Sequence, residues 1–335
     1  MSVIRRRDFL KLAGAAALGA PLGGLRLDEE PLGEKRVSSV RLGRTARSLR
    51  YYTEPTTHSR ELGYYVTDSV IEILEEREGE LLPFHNPLWY RTPDGWLNAG
   101  YVQPVRNLVN VPTLDVPRGG FLAEVTVPFT QAWKLGGDRR KRAYRFPYST
   151  THWVTGAFQD SAGEVWYRVA DDLLPETYLV YGAHLRRVTA ADVAPLSPGA
   201  GGKRKEVDLE NQRVTAFEND APVFTAAMSS GRSRAGTPKG EFRVERKNPS
   251  RHMAASAADG DPYDLPGVPW VCFISWNGVS LHGTYWHNNY GRPQSHGCIN
   301  LTPQAARWLY RWTDPPVPLD EDYIESKEGT PVTVF

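Results

Sequence analysis

Apolar and polar residues alternate with a period of two along most of the chain after residue 46. That period is typical of half-buried β-strands, and clusters of Gly, Pro, Asn and Asp separate the runs as turns. The pattern predicts many short strands joined by tight connections. The strands are predicted over residues 64–66, 70–74, 205–209, 213–218, 222–228, 241–244, 270–276 and 329–335.

A helical period is clear in one segment, which begins after Thr302 and runs to residue 312. Thr302 suits an N-cap, and Pro303 suits the first helical position. The apolar positions of the segment recur at spacings of three and four, which places them on one helix face. They are Ala305, Trp308, Leu309 and Trp312. The sequence therefore predicts a mainly β protein with one short helix near its C-terminus.

Residues 247–269 show no period and are rich in Ala, Ser and Pro. A loop of this length in a compact domain is usually functional or disordered. We interpret the segment as a lid over a site.

An apolar-Trp-Tyr-Arg strand, an Asp turn and a Gly-containing final strand occur twice, over residues 88–102 and 165–185. This shared sequence pattern predicts an internal repeat of a small β-barrel. The repeated segments resemble bacterial SH3-like domains, which often accompany cell-wall enzymes. Trp89 and Trp166 are predicted to be core aromatics, and the alternative is that exposed aromatics of the set stack on sugar or peptide.

Proline, glycine and charge then divide the chain into segments. The predicted segments are a signal or anchor at 1–27, a linker at 28–45, two small SH3-like barrels at 46–112 and 118–194, a second linker at 195–203, and a β-rich domain at 204–335.

Composition adds limits to this picture. The chain has 335 residues and a formal net charge of +1. Nucleic acid is not an expected partner, because binding to its backbone needs a basic surface.

The N-terminus carries a targeting pattern. Arg5, Arg6 and Arg7 precede Phe9-Leu10-Lys11 and an apolar run over 12–25, which matches the twin-arginine export signal. The run is shorter than the roughly 20 residues of a spanning helix. We expect export to the cell envelope, with membrane contact only through this segment. The alternative is a basic N-terminus without a targeting role.

There are two cysteines, Cys272 and Cys298, too few for a disulfide framework, although one bond between them is open. Cys272 lies between apolar neighbours in the predicted strand 270–276 and is predicted to be a packed thiol in the core. Cys298 lies in a polar, Gly-containing segment, Ser-His-Gly-Cys-Ile-Asn, just before the helix.

Cys298 has the neighbours that a nucleophile requires. His282 precedes it by 16 positions and ends a strand-like run, with a polar loop between them. A thiolate attacks a carbonyl, so the thiol needs a base that lowers its pKa, and an imidazole can later protonate the leaving amine. Gly297 permits a sharp turn, and the backbone N–H groups beside it can face a developing oxyanion.

The pattern His-Gly … Ser-His-Gly-Cys-Ile-Asn, with Thr237-Pro238-Lys239-Gly240 and residues 266–270, resembles the L,D-transpeptidase catalytic domain over residues 204–335. The resemblance implies that Cys298 is the nucleophile, that His282 is the proton donor and acceptor, and that the Gly283 carbonyl orients the imidazole. It also implies site-shaping or oxyanion roles for Ser295, His296 and Gly297, and substrate contacts from Met253, Tyr263, Trp286, Arg292 and Asn300. Asn300 is further expected to hold the loop.

The same resemblance implies an activity. Cys298 would attack the third residue of a tetrapeptide stem, release D-Ala and pass the acyl group to a neighbouring stem in a 3→3 cross-link of peptidoglycan. No metal or organic cofactor is expected. The expected partners are donor and acceptor stem peptides, and carbapenem-type inhibitors are expected to acylate Cys298.

Several alternatives stay open at this stage. Water could resolve the acyl-enzyme, which would make an L,D-carboxypeptidase, or the chain could be a cell-wall-binding protein with an inactive enzyme domain. His287 could be a surface or pocket residue, and Arg292 could hold a substrate carboxylate or be a solvated loop residue. A zinc site of His282, His287, His296 and Cys298 is disfavoured, because Gly297 leaves too little chain between His296 and Cys298.

Overall fold

The computed structural model of the protein describes residues 40–81, 85–136, 139–232, 236–256, 258 and 261–335. Strands dominate these residues, which confirms the predicted mainly β class. The predicted export signal at 1–27 lies outside the described residues. No helix within the described ranges is long and apolar enough to cross a membrane.

The first domain contains eight short strands and a 3₁₀ helix, Ala99–Tyr101. The strands are β1 Leu42–Thr45, β2 Leu49–Tyr52, β3 Glu61–Tyr65, β4 Val70–Glu72, β5 Glu75–Glu78, β6 Leu88–Arg91, β7 Trp96–Asn98 and β8 Val102–Val105. They form sheets in the orders β4-β1-β8 and β3-β2-β7-β6-β5. The predicted linker at 28–45 was wrong at its end, because β1 lies between β4 and β8 in a sheet and buries Arg44.

The second domain is a seven-stranded sheet in the order β11-β10-β14-β13-β12-β9-β15. Its strands are β9 Phe121–Val125, β10 Phe129–Gly136, β11 Arg139–Pro147, β12 Thr151–Gln159, β13 Val165–Ala170, β14 Thr177–Tyr181 and β15 Leu185–Arg187. A 3₁₀ helix, Gly182–His184, joins the last two strands.

The two repeated segments have the same succession of elements. In each, the Trp-Tyr-Arg strand pairs with the next strand, and a 3₁₀ helix leads into the last strand of the domain. Trp89 is fully buried, as predicted. Trp166 is half-buried, and its indole N–H donates to Asp160 at 2.8 Å. The repeat is therefore present locally, although the two domains arrange their remaining strands differently.

The C-terminal domain has two five-stranded sheets, in the orders β18-β17-β16-β25-β19 and β23-β22-β21-β20-β24. Its strands are β16 Arg204–Asp208, β17 Arg213–Glu218, β18 Ala221–Ala227, β19 Gly240–Arg243, β20 Arg246–Ala255, β21 Tyr263–Phe273, β22 Ser280–Gly283, β23 Ile299–Leu301, β24 Ile324–Glu325 and β25 Pro331–Val334. A one-turn helix, α1 Ala190–Val193, precedes them, and α2 Pro303–Trp312 follows β23.

The core of this domain joins both sheets and α2. Val214 from one sheet, Trp270 from the other and Leu309 from the helix belong to one buried apolar cluster. Helix α2 begins as predicted: Thr302 accepts a hydrogen bond from the Ala305 N–H at 3.2 Å, and proline follows at the first helical position.

The predicted lid over 247–269 is instead a hairpin of two long strands, β20 and β21. The aperiodic pattern misled because β21 is buried on both faces along much of its length, which removes the alternation. Prolines within the strands also read as breakers. The described ends of the hairpin tip are Ser256 and Asp261.

A histidine ties this hairpin to the second domain. His252 on β20 is buried, with Nδ1 2.8 Å from Asp171 and Nε2 2.5 Å from Asp264. Burial lowers the pKa of His252, but the hydrogen bonds and charges of the two carboxylates outweigh burial, so the pKa is raised above its ordinary value. The imidazole therefore bridges a hairpin carboxylate and a second-domain carboxylate, one at each ring nitrogen.

Candidate active site

Strand pairing brings the distant thiol and imidazole together. β22 and β23 are parallel neighbours, with Leu281 opposite Ile299 and His282 opposite Asn300. Cys298 immediately precedes β23, so it lies beside Ser280 and His282 at the edge where both strands begin. The polar residues 284–298 form the connection that a parallel pair requires. The predicted pair is therefore adjacent in space.

The tautomer of His282 follows from its backbone partner. Nδ1 lies 3.0 Å from the Gly283 carbonyl oxygen, and because a carbonyl only accepts, Nδ1 carries the proton. Nε2 is then the basic nitrogen, and the imidazole lies close enough to the Cys298 thiol to lower its pKa. The predicted orienting contact of the Gly283 carbonyl is present.

The environment of Cys298 lowers the pKa of its thiol. Burial raises this pKa, but the neighbouring imidazole of His282, with help from Ser280, outweighs burial. Ser280 Oγ lies 3.6 Å from Sγ, and the Gly278 carbonyl oxygen lies 3.5 Å from Sγ. A half-exposed thiol paired with an imidazole is the arrangement by which proteins prepare a cysteine nucleophile.

Gly283 is a glycine because the chain is crowded there. A Cβ at this position would lie 2.8 Å from Cγ of Pro269 and 3.1 Å from Cα of Pro303. A larger residue would push against both neighbours and move the carbonyl that holds His282.

The loop before Cys298 is held by its own serine. Ser295 Oγ accepts the Gly297 N–H at 3.1 Å and donates to the Cys298 carbonyl at 2.5 Å. Gly297 has φ of 119°, which a residue with a side chain rarely adopts. Ser295 is nearly buried, so its hydroxyl shapes the turn that presents the thiol.

Sequence reasoning missed Thr237. Its buried hydroxyl accepts the Gly231 N–H at 2.9 Å and donates to the Gly297 carbonyl at 2.8 Å. Because C=O and N–H point in opposite directions across a trans peptide, this contact also fixes the direction of the Cys298 N–H. The only available signal was the position of Thr237 within the stretch that resembles the L,D-transpeptidase domain.

Asn300 and His287 form a buried pair beneath the site. The backbone of Asn300 exchanges two hydrogen bonds with Ser229, at 2.8 and 2.9 Å. Nδ1 of His287 accepts the Asn289 N–H at 3.2 Å, and Nε2 lies 2.9 Å from the Asn300 side-chain amide. Burial lowers the pKa of His287 to about 3, so it is neutral and structural.

His296, although adjacent in sequence to the thiol loop, faces the β20–β21 hairpin. Its Nε2 lies 2.9 Å from Asp261, and its ring lies 5.2 Å from the Tyr263 ring. Arg232 lies 3.8 Å from the same Asp261 carboxylate. His296 therefore forms part of the wall of the cavity, and His282 is the imidazole that lowers the pKa of the thiol.

A cavity of about 450 Å³ opens on Cys298 and His282. Met253, Tyr263, Trp286 and Asn300, the predicted substrate contacts, line it together with Ser295 and His296. Arg292 lies outside it, so this placement gives the predicted carboxylate contact of Arg292 no support. Two further lining residues, Arg47 and Tyr101, come from the first domain and were not anticipated.

Three other features bear on alternative chemistry. Within the described ranges, no three His, Cys, Asp or Glu side chains converge as a metal site would require. Cys272 is 1% exposed, and both cysteines are free thiols. A larger cavity of about 730 Å³ near Trp276 has neither thiol nor imidazole in its lining.

Comparison with known proteins agrees with this geometry. Residues 203–334 match the family model described as the YkuD L,D-transpeptidase catalytic domain. This part of the chain is an L,D-transpeptidase catalytic domain. L,D-transpeptidase 1 of Mycobacterium tuberculosis is 28% identical over 221 residues, which cover 62% of this chain and 82% of that protein.

Two solved structures of the Enterococcus faecium L,D-transpeptidase are also similar. A crystal structure is 30% identical and matches 40% of this chain with a TM-score of 0.32; the chain spans about half (49%) of its length. The NMR structure of the catalytic domain acylated by ertapenem is 31% identical, covering 40% of this chain and 98% of that one, with a TM-score of 0.32.

Proposed function

We propose that this protein is a peptidoglycan L,D-transpeptidase that forms 3→3 cross-links through a Cys298 thioester. The observation that carries the proposal is a half-buried thiol whose pKa is lowered by the neighbouring His282, with Nδ1 of that imidazole held by the Gly283 carbonyl, within an L,D-transpeptidase domain. No metal or organic cofactor takes part in the proposed chemistry.

Acylation begins when Nε2 of His282 accepts the thiol proton. The thiolate attacks the carbonyl of the third residue of a tetrapeptide stem, and the Cys298 N–H stabilises the oxyanion. The imidazolium, supported by the Gly283 carbonyl at Nδ1, then gives its proton to the leaving amine of D-Ala. A C–S bond has formed, the peptide C–N bond has broken, and His282 is neutral again.

The second half reverses the roles. The amine of a neighbouring stem attacks the thioester, and Nε2 of His282 accepts a proton from it. The new amide forms as the C–S bond breaks, and the proton returns to the thiolate of Cys298. Water in place of the amine would give the carboxypeptidase outcome from the same intermediate.

The same thiolate is expected to open carbapenem-type β-lactams, whose strained amide carbonyl is electrophilic. The product is a covalent adduct on Cys298. Mass spectrometry of the intact protein measures this adduct without any peptide substrate.

The products of purified full-length protein test the proposal. Incubation with tetrapeptide muropeptides should give cross-linked dimers and free D-Ala by mass spectrometry. Cys298→Ala should lose both dimer formation and carbapenem acylation, while Cys272→Ser should retain both. Tripeptide monomers alone would establish the carboxypeptidase, and no product of either kind would leave a wall-binding role.

We also propose that the protein is exported through the twin-arginine pathway and that the two N-terminal domains are SH3-like. Arg5 and Arg6, followed by an apolar run, support export. Replacement of both by Lys should keep the protein in the cytoplasmic fraction, and unchanged delivery to the envelope would refute this route.

A further inference from the structure

We infer that Arg47, a side chain of the first domain, binds a carboxylate of the peptide substrate in the cavity that contains Cys298. The inference rests on the proposed function, since it names a determinant of specificity for the same site. It makes the first domain part of the substrate site.

The turn between β1 and β2 brings Arg47 to the cavity. Thr45 pairs with Val102, and the Ala46 N–H donates to the Tyr101 carbonyl at 2.8 Å. The guanidinium carbon of Arg47 lies 3.3 Å from the centre of the Tyr101 ring. Both side chains line the cavity beside Cys298. The stacked ring thus sets the position of an otherwise flexible charge.

The first domain is fixed against the catalytic domain at this point. Arg44, 3% exposed, donates from Nη2 to the Tyr285 carbonyl at 2.6 Å and from Nε to Gln103 at 3.1 Å. The Asn288 N–H donates to the carbonyl of Gly100, in the 3₁₀ helix that carries Tyr101, at 2.8 Å. The connection 284–298 is therefore hydrogen-bonded to the element that supports Arg47.

The cavity is cationic, and Arg47 is its uncompensated charge. Within the described residues, no Asp or Glu lines the cavity. Arg232 and His296 both face Asp261, and His287 is neutral. No carboxylate in the described part of the chain pairs with Arg47.

A stem peptide supplies the missing anion. It carries a terminal carboxylate, and a third residue with an acidic side chain carries another. A guanidinium offers a planar fork that matches a carboxylate with two hydrogen bonds, whereas a lysine offers a point charge. Hydrogen bonds to charged groups change affinity by about ten- to one-hundred-fold.

The test compares full-length Arg47→Gln and Arg47→Lys with the wild-type protein. Arg50→Gln is the matched control, because Arg50 follows on β2, is 68% exposed and pairs with Glu61 at 3.2 Å. The substrates are a synthetic tetrapeptide stem with free carboxylates and two versions in which one carboxylate at a time is amidated.

Arg47→Gln should raise KM for the free peptide about ten- to one-hundred-fold, with a much smaller change in kcat, and Arg47→Lys should recover part of the loss. Amidation of the recognised carboxylate should impair the wild type by the same factor and leave Arg47→Gln unaffected. The version that shows this behaviour identifies the carboxylate.

Equal losses for Arg47→Gln on all three peptides would overturn the inference, and so would a KM equal to that of Arg50→Gln. A binding titration of Cys298→Ala with the same peptides, with and without Arg47→Gln, measures recognition without turnover. Failure of the proposed function is therefore distinguishable: the wild type would release no D-Ala, whereas the binding difference would still report on Arg47.

Discussion

Thr237→Val is the substitution that most directly disturbs the loop before Cys298 while leaving the reacting groups unchanged. Valine has nearly the shape of threonine but no hydroxyl. The change leaves the Gly231 N–H and the Gly297 carbonyl without the partner that now lies 2.9 and 2.8 Å away. Both groups lie in the buried surroundings of a side chain that is 7% exposed.

The magnitude follows from these two contacts. An unsatisfied buried polar group costs about 1–3 kcal/mol, so the loss of partners for two such groups should lower the free energy of unfolding by roughly 2–6 kcal/mol. Removal of an oxyanion donor costs about 10²- to 10³-fold in rate. Because Thr237→Val only loosens the Cys298 N–H, we expect the carbapenem acylation rate to fall roughly 10- to 100-fold.

The assay is the rate of adduct formation on intact protein, measured below the denaturation midpoint of the variant. Thr237→Ser, which keeps the hydroxyl, should stay within a few-fold of the wild type. Thr215→Val, a change at a half-buried position of β17, controls for the loss of a threonine hydroxyl elsewhere. Wild-type acylation by a folded Thr237→Val protein would refute the claim that this hydroxyl positions the loop.

Three further predictions concern Gly283, His252 and the thiol. Gly283→Ala should slow acylation at least ten-fold and lower the melting temperature because its Cβ clashes, whereas Gly119→Ala, which meets open space, should do neither. The raised pKa of His252 contributes stability that is complete below a pH of about 6.5 and is lost as the pH rises through the folded-state pKa. Chemical denaturation at a series of pH values should show this fall in the free energy of unfolding for the wild type and not for His252→Gln. Alkylation of Cys298 by iodoacetamide should titrate below the ordinary thiol pKa of about 8.5, and His282→Ala should raise the inflection; an unchanged inflection would contradict the pairing.

Local signals in the sequence were sufficient for part of the fold. Thr302 and Pro303 are local signals for the start of α2, and the helix begins where they predict. Cys298 and His282 were recognisable from the residues beside them and from the polar loop between them, and the structure joins them through a parallel strand pair. Each of these inferences needed only neighbouring residues.

The prediction for residues 247–269, which form most of the hairpin of β20 and β21, failed for a physical reason. Its two-sided burial depends on the second domain and on the rest of its sheet, which local alternation does not report. The buried His252, for example, is a polar residue that interrupts the apolar pattern of the strand, because its partner Asp171 lies 81 positions away in the chain. Arg47 was also not predicted as a site residue, because it lies in a part of the chain that carries no catalytic motif.

The contacts around Cys298 suggest why its motif contains residues that do no proton chemistry. Three backbone carbonyls are each held by one group: Gly283 by the His282 ring, Gly297 by Thr237 and Cys298 by the Ser295 hydroxyl. Fixing a carbonyl also fixes the peptide plane, and therefore the donor on its opposite side. A loop with φ of 119° at Gly297 has no regular ladder to supply this order, so side-chain hydroxyls must do so. The serine and glycine of the motif thus determine where the thiol and its neighbouring N–H point, while the reactivity of the thiol depends on His282.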